Sequence, residues 1–138
     1  MARFWPRSLW VATAAFVVAT CAPPPGPPVV TSTSSQTDGL TVVAGGVDLV
    51  LNGHRHQYER FAAIGAGGSS NPARGAREIV VGTGGKDLEA FGAAVPGSEV
   101  RLSTFGVLEL TLSATEYSFR FVGIDGSVLD QGHGVCHA

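Results

Sequence analysis

Polar and apolar positions alternate most clearly in the last third of the chain. In Val107–Leu112, the leucines Leu108, Leu110 and Leu112 fall on one face against Glu109 and Thr111. In Glu116–Val122, Tyr117, Phe119 and Phe121 oppose Ser118 and Arg120. Successive side chains of a strand point to opposite faces, so each run predicts a strand with one dry and one wet face. The short link Ser113-Ala114-Thr115 predicts that the two form an antiparallel hairpin. By periodicity, the aromatic stripe reads as core. Two earlier runs lack alternation. Val47–Leu51, apolar apart from Asp48, predicts a central strand buried on both faces. Arg77–Gly82, centred on Ile79, Val80 and Val81, predicts a second strand, ended by the turn Gly82-Thr83-Gly84-Gly85, which has no room for side chains. Ser98–Ser103 predicts a short strand, and Ser127–Asp130 an edge strand after the turn at Asp125-Gly126. Leu40–Ala44 reads as the end of a helix closed by Gly45-Gly46. Gln57–Phe61 leads into a loop over residues 62–75, and residues 86–97 form a second loop.

The N-terminus has a different character. Arg3 and Arg7 precede an apolar run from Leu9 to Ala19, followed by small residues. A basic start, about a dozen apolar residues and small residues predict a secretory signal over residues 1–21. The run falls short of the roughly 20 residues a bilayer-spanning helix needs. Val18-Ala19-Thr20-Cys21 resembles a bacterial lipoprotein box, in which the cysteine is lipidated and becomes the new N-terminus. Thr20 departs from the glycine or alanine usual there. Two alternatives stand: a membrane tether through a lipidated Cys21, or ordinary secretion with cleavage close by. Either gives a secreted, periplasmic or cell-envelope protein. Residues 22–39 carry five prolines and then a Ser/Thr cluster, and predict a linker without a core. Residues 40–138 remain as the folded part.

The net charge of −2 supplies no field to attract nucleic acid. Charged residues at 14% and 19 glycines fit a loop-rich β domain and not a disordered chain. The two cysteines, Cys21 and Cys136, lie near opposite ends. With Cys21 lipidated or removed, an odd cysteine in an oxidising compartment implies a partner elsewhere or a reactive thiol.

The candidate chemistry sits where the first apolar run breaks. Asn52-Gly53 is followed by His54, Arg55 and His56. Neutral imidazole is the commonest protein ligand for transition metals. Two histidines at i and i+2 after a strand can reach different ions of a close pair. Two ions about 3.5–4 Å apart suit phosphoester hydrolysis, because they generate hydroxide and clamp the phosphate oxygens. Gly53 would let the backbone approach the ions. Asn52 and Asp48 could orient the rings, or each could equally be a turn residue or a buried hydrogen-bonded group. Alone, a His-x-His pair is more often two polar loop residues than a metal site.

The wider segment Gly46-Val-Asp-Leu-Val-Leu-Asn-Gly-His-Arg-His-Gln-Tyr-Glu-Arg-Phe61 resembles the last metal-binding motif of the calcineurin-like metallophosphoesterases, especially the secreted branch related to purple acid phosphatases. The resemblance continues through Arg77–Gly85, Phe105–Leu112, Tyr117–Val122 and Asp130–His137, nearly the whole folded part. It implies a partial α/β fold, the C-terminal and mostly β portion of a metallophosphoesterase sandwich, with antiparallel hairpins and little helix. It implies that His54 and His56 are metal ligands, one to each ion of a dinuclear iron, zinc or manganese centre, acting on a phosphate ester. Tyr58, Glu59 and Arg60 match the following segment, where the resemblance implies a structural role, with Glu59 and Arg60 holding the loop, or else a role at the substrate. His133 and His137 fall where the family has no ligand, and read as surface residues near a flexible end. Cys136 matches a family cysteine.

The family's remaining ligands come from earlier motifs: Asp-x-His, Gly-Asp-x-x-Asp or Tyr, Gly-Asn-His and one more histidine. The sequence contains no Gly-Asp and no Asn-His, and His54 is its first histidine. Two imidazoles cannot hold two divalent ions, each of which needs three or four protein ligands. Three expectations follow: a truncated phosphoesterase inactive as a lone chain, a secreted non-catalytic β-rich binding module, or a subunit that completes its site with another chain. Without upstream strands, Val47–Leu51 is also expected to expose an edge and an apolar face.

Overall fold

The computed structural model describes residues 17–19, as backbone, and residues 46–137. The predicted helix end at Leu40–Ala44 and the linker at 22–39 lie outside them, as does most of the signal segment. Among the described residues there is no helix; all regular structure is strand. The strands are β1 (Val17–Ala19), β2 (Leu49–Asn52), β3 (Tyr58–Phe61), β4 (Arg77–Val81), β5 (Ser98–Leu102), β6 (Gly106–Leu112), β7 (Glu116–Gly123) and β8 (Val128–Val135). They form a five-stranded sheet, ordered β1-β2-β4-β3-β5, and a three-stranded sheet, β6-β7-β8. β2 and β4 run parallel; the other pairs are antiparallel.

The two sheets bury one core between them. Leu49, Tyr58 and Ile79 of the larger sheet meet Tyr117, Phe119 and Phe121 of the smaller, with Leu51, Val81, Val100, Leu102, Leu108 and Leu110 around them. Tyr58 and Phe121 stack across the interface, ring centroids 4.0 Å apart. The aromatic stripe is therefore core, and the hairpin β6–β7 pairs antiparallel with Leu112 opposite Tyr117. Leu112 itself is exposed at the sheet's end.

Three expectations need correction. Gln57–Phe61 contains a strand, β3, inserted between β4 and β5. The predicted edge strand Ser127–Asp130 is the start of a longer one that continues to Val135. Its register sets Gly132 opposite Phe119 and Gly134 opposite Tyr117. A Cβ on Gly132 would sit 2.7 Å from the Phe119 ring, so these glycines serve the core by letting the rings lie over the strand. Third, the edge of β2 is covered: β1, from inside the segment read as an export signal, pairs along it, and Leu49 and Val50 are buried.

Candidate functional site

The histidine loop is built by three local features. After β2 ends, the Asn52 side-chain oxygen accepts the His54 N–H at 3.2 Å, a turn that asparagine makes readily. The Gln57 N–H then donates to the Arg55 carbonyl at 2.9 Å, and the Gly82 N–H to the Gln57 carbonyl at 3.1 Å. The third feature is Gly82 itself. A Cβ there would collide with the Arg55 carbonyl oxygen and lie 2.7 Å from that of Gly53. The end of β4 thus has to be glycine for the loop to lie against it. Thr83, buried, fastens the same turn to β6 through its hydroxyl, which donates to the Gly106 carbonyl at 2.8 Å.

On this support His54 is exposed and His56 is half-buried. Glu89, from the loop at 86–97, reaches both sides of His56. Its N–H donates to the His56 carbonyl at 2.9 Å, while its carboxylate lies 3.0 Å from Arg55 Nε and 3.8 Å from His56 Nδ1. The second distance is too long for a hydrogen bond. Sequence reasoning missed Glu89, because the loop that carries it has no periodicity and no motif.

The residues after the histidines turn inward. Tyr58 donates its hydroxyl to Asp130 at 2.7 Å, and Arg60 donates to the same carboxylate through Nε at 2.7 Å and Nη2 at 3.3 Å. Arg60 also pairs with Glu99, which Arg77 approaches at 3.1 Å, and its guanidinium lies 5.8 Å from the Phe119 ring centroid. Asp130 is on β8, so the network ties the two sheets together. Burial, then the bond to Asp130, pushes the Tyr58 phenol far above its usual pKa. Burial alone would lower Arg60, but Asp130 and Glu99 outweigh it and hold the guanidinium above its usual value. Glu59 points to the other face, where Ser98 donates to it at 2.7 Å and Gln57 at 3.1 Å. Beside it on that face, Glu78 is raised by burial and further by the charge of Glu59.

Asp48 does not face the histidine loop. It is buried, and its Oδ1 accepts the His137 N–H at 2.9 Å and sits 2.6 Å from His137 Nδ1. His137 Nε2 lies 2.5 Å from the Ala73 carbonyl. The expectation of a flexible surface histidine is therefore wrong for His137: its ring bridges the buried Asp48 and a distant loop. His133 is exposed on β8. Cys136 is disulfide-bonded, which sets aside an odd reactive thiol there. Cys21 lies outside the described residues.

Among the described residues, no three His, Cys, Asp or Glu side chains form a group able to hold a metal ion. His54 and His56 with the nearby Glu89 do not fit a dinuclear centre, which needs a bridging carboxylate and several further ligands. On the far side of the Gly82–Gly85 turn lies an open apolar pocket of about 320 Å³, walled by Phe105, Val107, Val122 and Ile124.

Two sheets closed over an aromatic core, with a His-x-His loop at the end of a parallel strand, make up the fold of the described residues. A solved purple acid phosphatase, PPD1 from yellow lupin (Lupinus luteus) seeds, shares it at a TM-score of 0.62 and 24% identity. The match covers 69% of this chain and 19% of that one, so the chain spans about a fifth of the lupin protein. No protein-family model matches the sequence. No curated protein matches it either.

Proposed function

We propose that this chain is the C-terminal portion of a metal-dependent phosphoesterase, and that it does not hydrolyse phosphate esters alone. The observation that carries the reading is the Gly53-His54-Arg55-His56 loop, seated on Gly82 in a fold similar to part of a purple acid phosphatase. In the intact site His54 and His56 would each give a ring nitrogen to one ion of an iron, zinc or manganese pair, which would supply hydroxide and bind the phosphate oxygens. Asn52 shapes the turn that presents them. Tyr58 and Arg60 hold the strand that leaves it, and Glu59 braces that strand's opposite face. The bridging carboxylate and remaining ligands would have to come from elsewhere. The N-terminal segment is read as an export signal.

The test is to purify the full chain and measure bound metal and hydrolysis of a generic aryl phosphate with iron, zinc or manganese supplied. Substoichiometric, weakly held metal and no turnover are expected. Stoichiometric tight binding by the lone chain would overturn the proposal. Recovery of activity on mixing with a chain carrying Asp-x-His and Gly-Asn-His motifs would identify a subunit that completes its site in trans.

A further inference from the structure

We propose that Cys21 and Cys136 are joined by a disulfide, and that this bond keeps the segment read as an export signal, from β1 onward, as part of the folded protein. The inference does not depend on the phosphoesterase reading.

Cys136 is disulfide-bonded, and the chain contains two cysteines. Its partner within the chain is therefore Cys21. The strand register leads to the same pairing without using that count. β1 runs antiparallel to β2 and ends with Ala19 opposite Leu49. Cys21 follows two residues later, and two residues of chain reach at most about 7 Å. The neighbour of Leu49 at that end is Asp48, whose carboxylate accepts the His137 N–H at 2.9 Å. Cys136 directly precedes His137. Both cysteines thus come to the start of β2, one from β1 and one from the end of β8. A disulfide bridges Cα atoms about 4.4–6.8 Å apart, which is the scale of that placement. Cys136 is also held where it is, since its N–H donates to the Thr115 carbonyl at 2.9 Å and it packs against the core.

A sulfur already in a disulfide cannot also carry a lipid, so the bond excludes a membrane tether at Cys21. A segment bonded through Cys21 cannot be discarded up to that residue either. β1 covers the outer edge of β2, where Leu49 and Val50 are buried, so any cut falls before Val17. The bond closes residues 21–136, nearly the whole folded part, and a cross-link across a long loop restrains the unfolded chain most. Disulfides persist in oxidising compartments, which agrees with export.

The full chain, expressed with its own N-terminus and purified without reductant, tests this. Its proteolytic peptides are weighed by mass spectrometry. A peptide pair joining Cys21 to Cys136 and an N-terminus at or before Val17 are expected. A dithiol reductant gives the bond two electrons and two protons, leaving two thiols and itself becoming a disulfide. It has no other bond in this chain to act on, and should lower the melting temperature by about 10 °C or more. An N-terminus beyond Val17, a lipid on Cys21 or two free thiols in the purified protein overturns the proposal. So does a melting temperature that the reductant does not move, because the bond would then hold nothing in place.

Discussion

Replacing Asp130 with asparagine should be the most damaging single change to the tie between the sheets. The Asp130 carboxylate is 9% exposed and the Arg60 side chain 15%. The carboxylate accepts from Tyr58 at 2.7 Å and from Arg60 at 2.7 and 3.3 Å. The substituted amide keeps the shape and one acceptor for the tyrosine but removes the charge, and leaves a largely buried guanidinium short of its partner. Breaking such a pair costs about 3–5 kcal/mol when the remaining ion has no other partner. Arg60 keeps Glu99, which is more exposed, so about 2–4 kcal/mol is expected here. For a domain of this size that is a large share of a stability on the order of 5–10 kcal/mol, and should lower the melting temperature by about 10 °C or more. Urea unfolding of D130N, R60M and the double variant measures it. The double variant should lose less than the sum of the singles, since removing Arg60 also removes the orphaned charge. A loss under about 1 kcal/mol for D130N, or simple additivity, would refute the network as the tie.

Three further changes probe the loop and the buried titratable groups. Gly82→Ala forces its Cβ against the Arg55 carbonyl, so it should cost about 1–3 kcal/mol and shift the amide resonances of residues 53–56; a spectrum unchanged there would refute the seating of the loop on Gly82. Glu78 is raised above its ordinary 4.5 by burial and by Glu59, so its contribution is full below about pH 4.5 and is lost as pH rises through the folded value. Glu78→Gln should therefore be more stable than wild type at pH 7 and lose that advantage by pH 4; equal urea midpoints at both pH values would count against it. Tyr58 is raised above its ordinary 10.0 by burial and then by Asp130, so its stabilisation is intact below pH 10 and falls as pH rises further, when the unfolded chain ionises first. Tyr58→Phe should be weaker at neutral pH yet show a shallower alkaline decline, and an unchanged alkaline limb would exclude Tyr58 as its source.

What was legible in the sequence follows from how locally each feature is determined. The hairpin β6–β7 has one wet face, so its alternation is visible in a single run of residues. β3 is hidden because Arg60 lies on the core face beside Tyr58. Its charge is answered by Asp130, 70 residues away, and no local pattern announces that. The length of β8 is hidden because Gly132 and Gly134 look like turn signals until the rings of Phe119 and Tyr117 are seen lying over them. The bond from His137 to Asp48 spans 89 residues and has no local trace.

The histidine motif shows the same division within a few residues. Residues 53–55 are exposed, while residues 57–59 are buried and His56 is intermediate between them. Tyr58 and Arg60 fasten the outgoing strand to the second sheet, and Glu59 is braced on the opposite face. The part of the segment that serves the core is under packing constraint whether or not a metal is bound. The Tyr-Glu-Arg that follows the histidines is therefore a marker of this fold first.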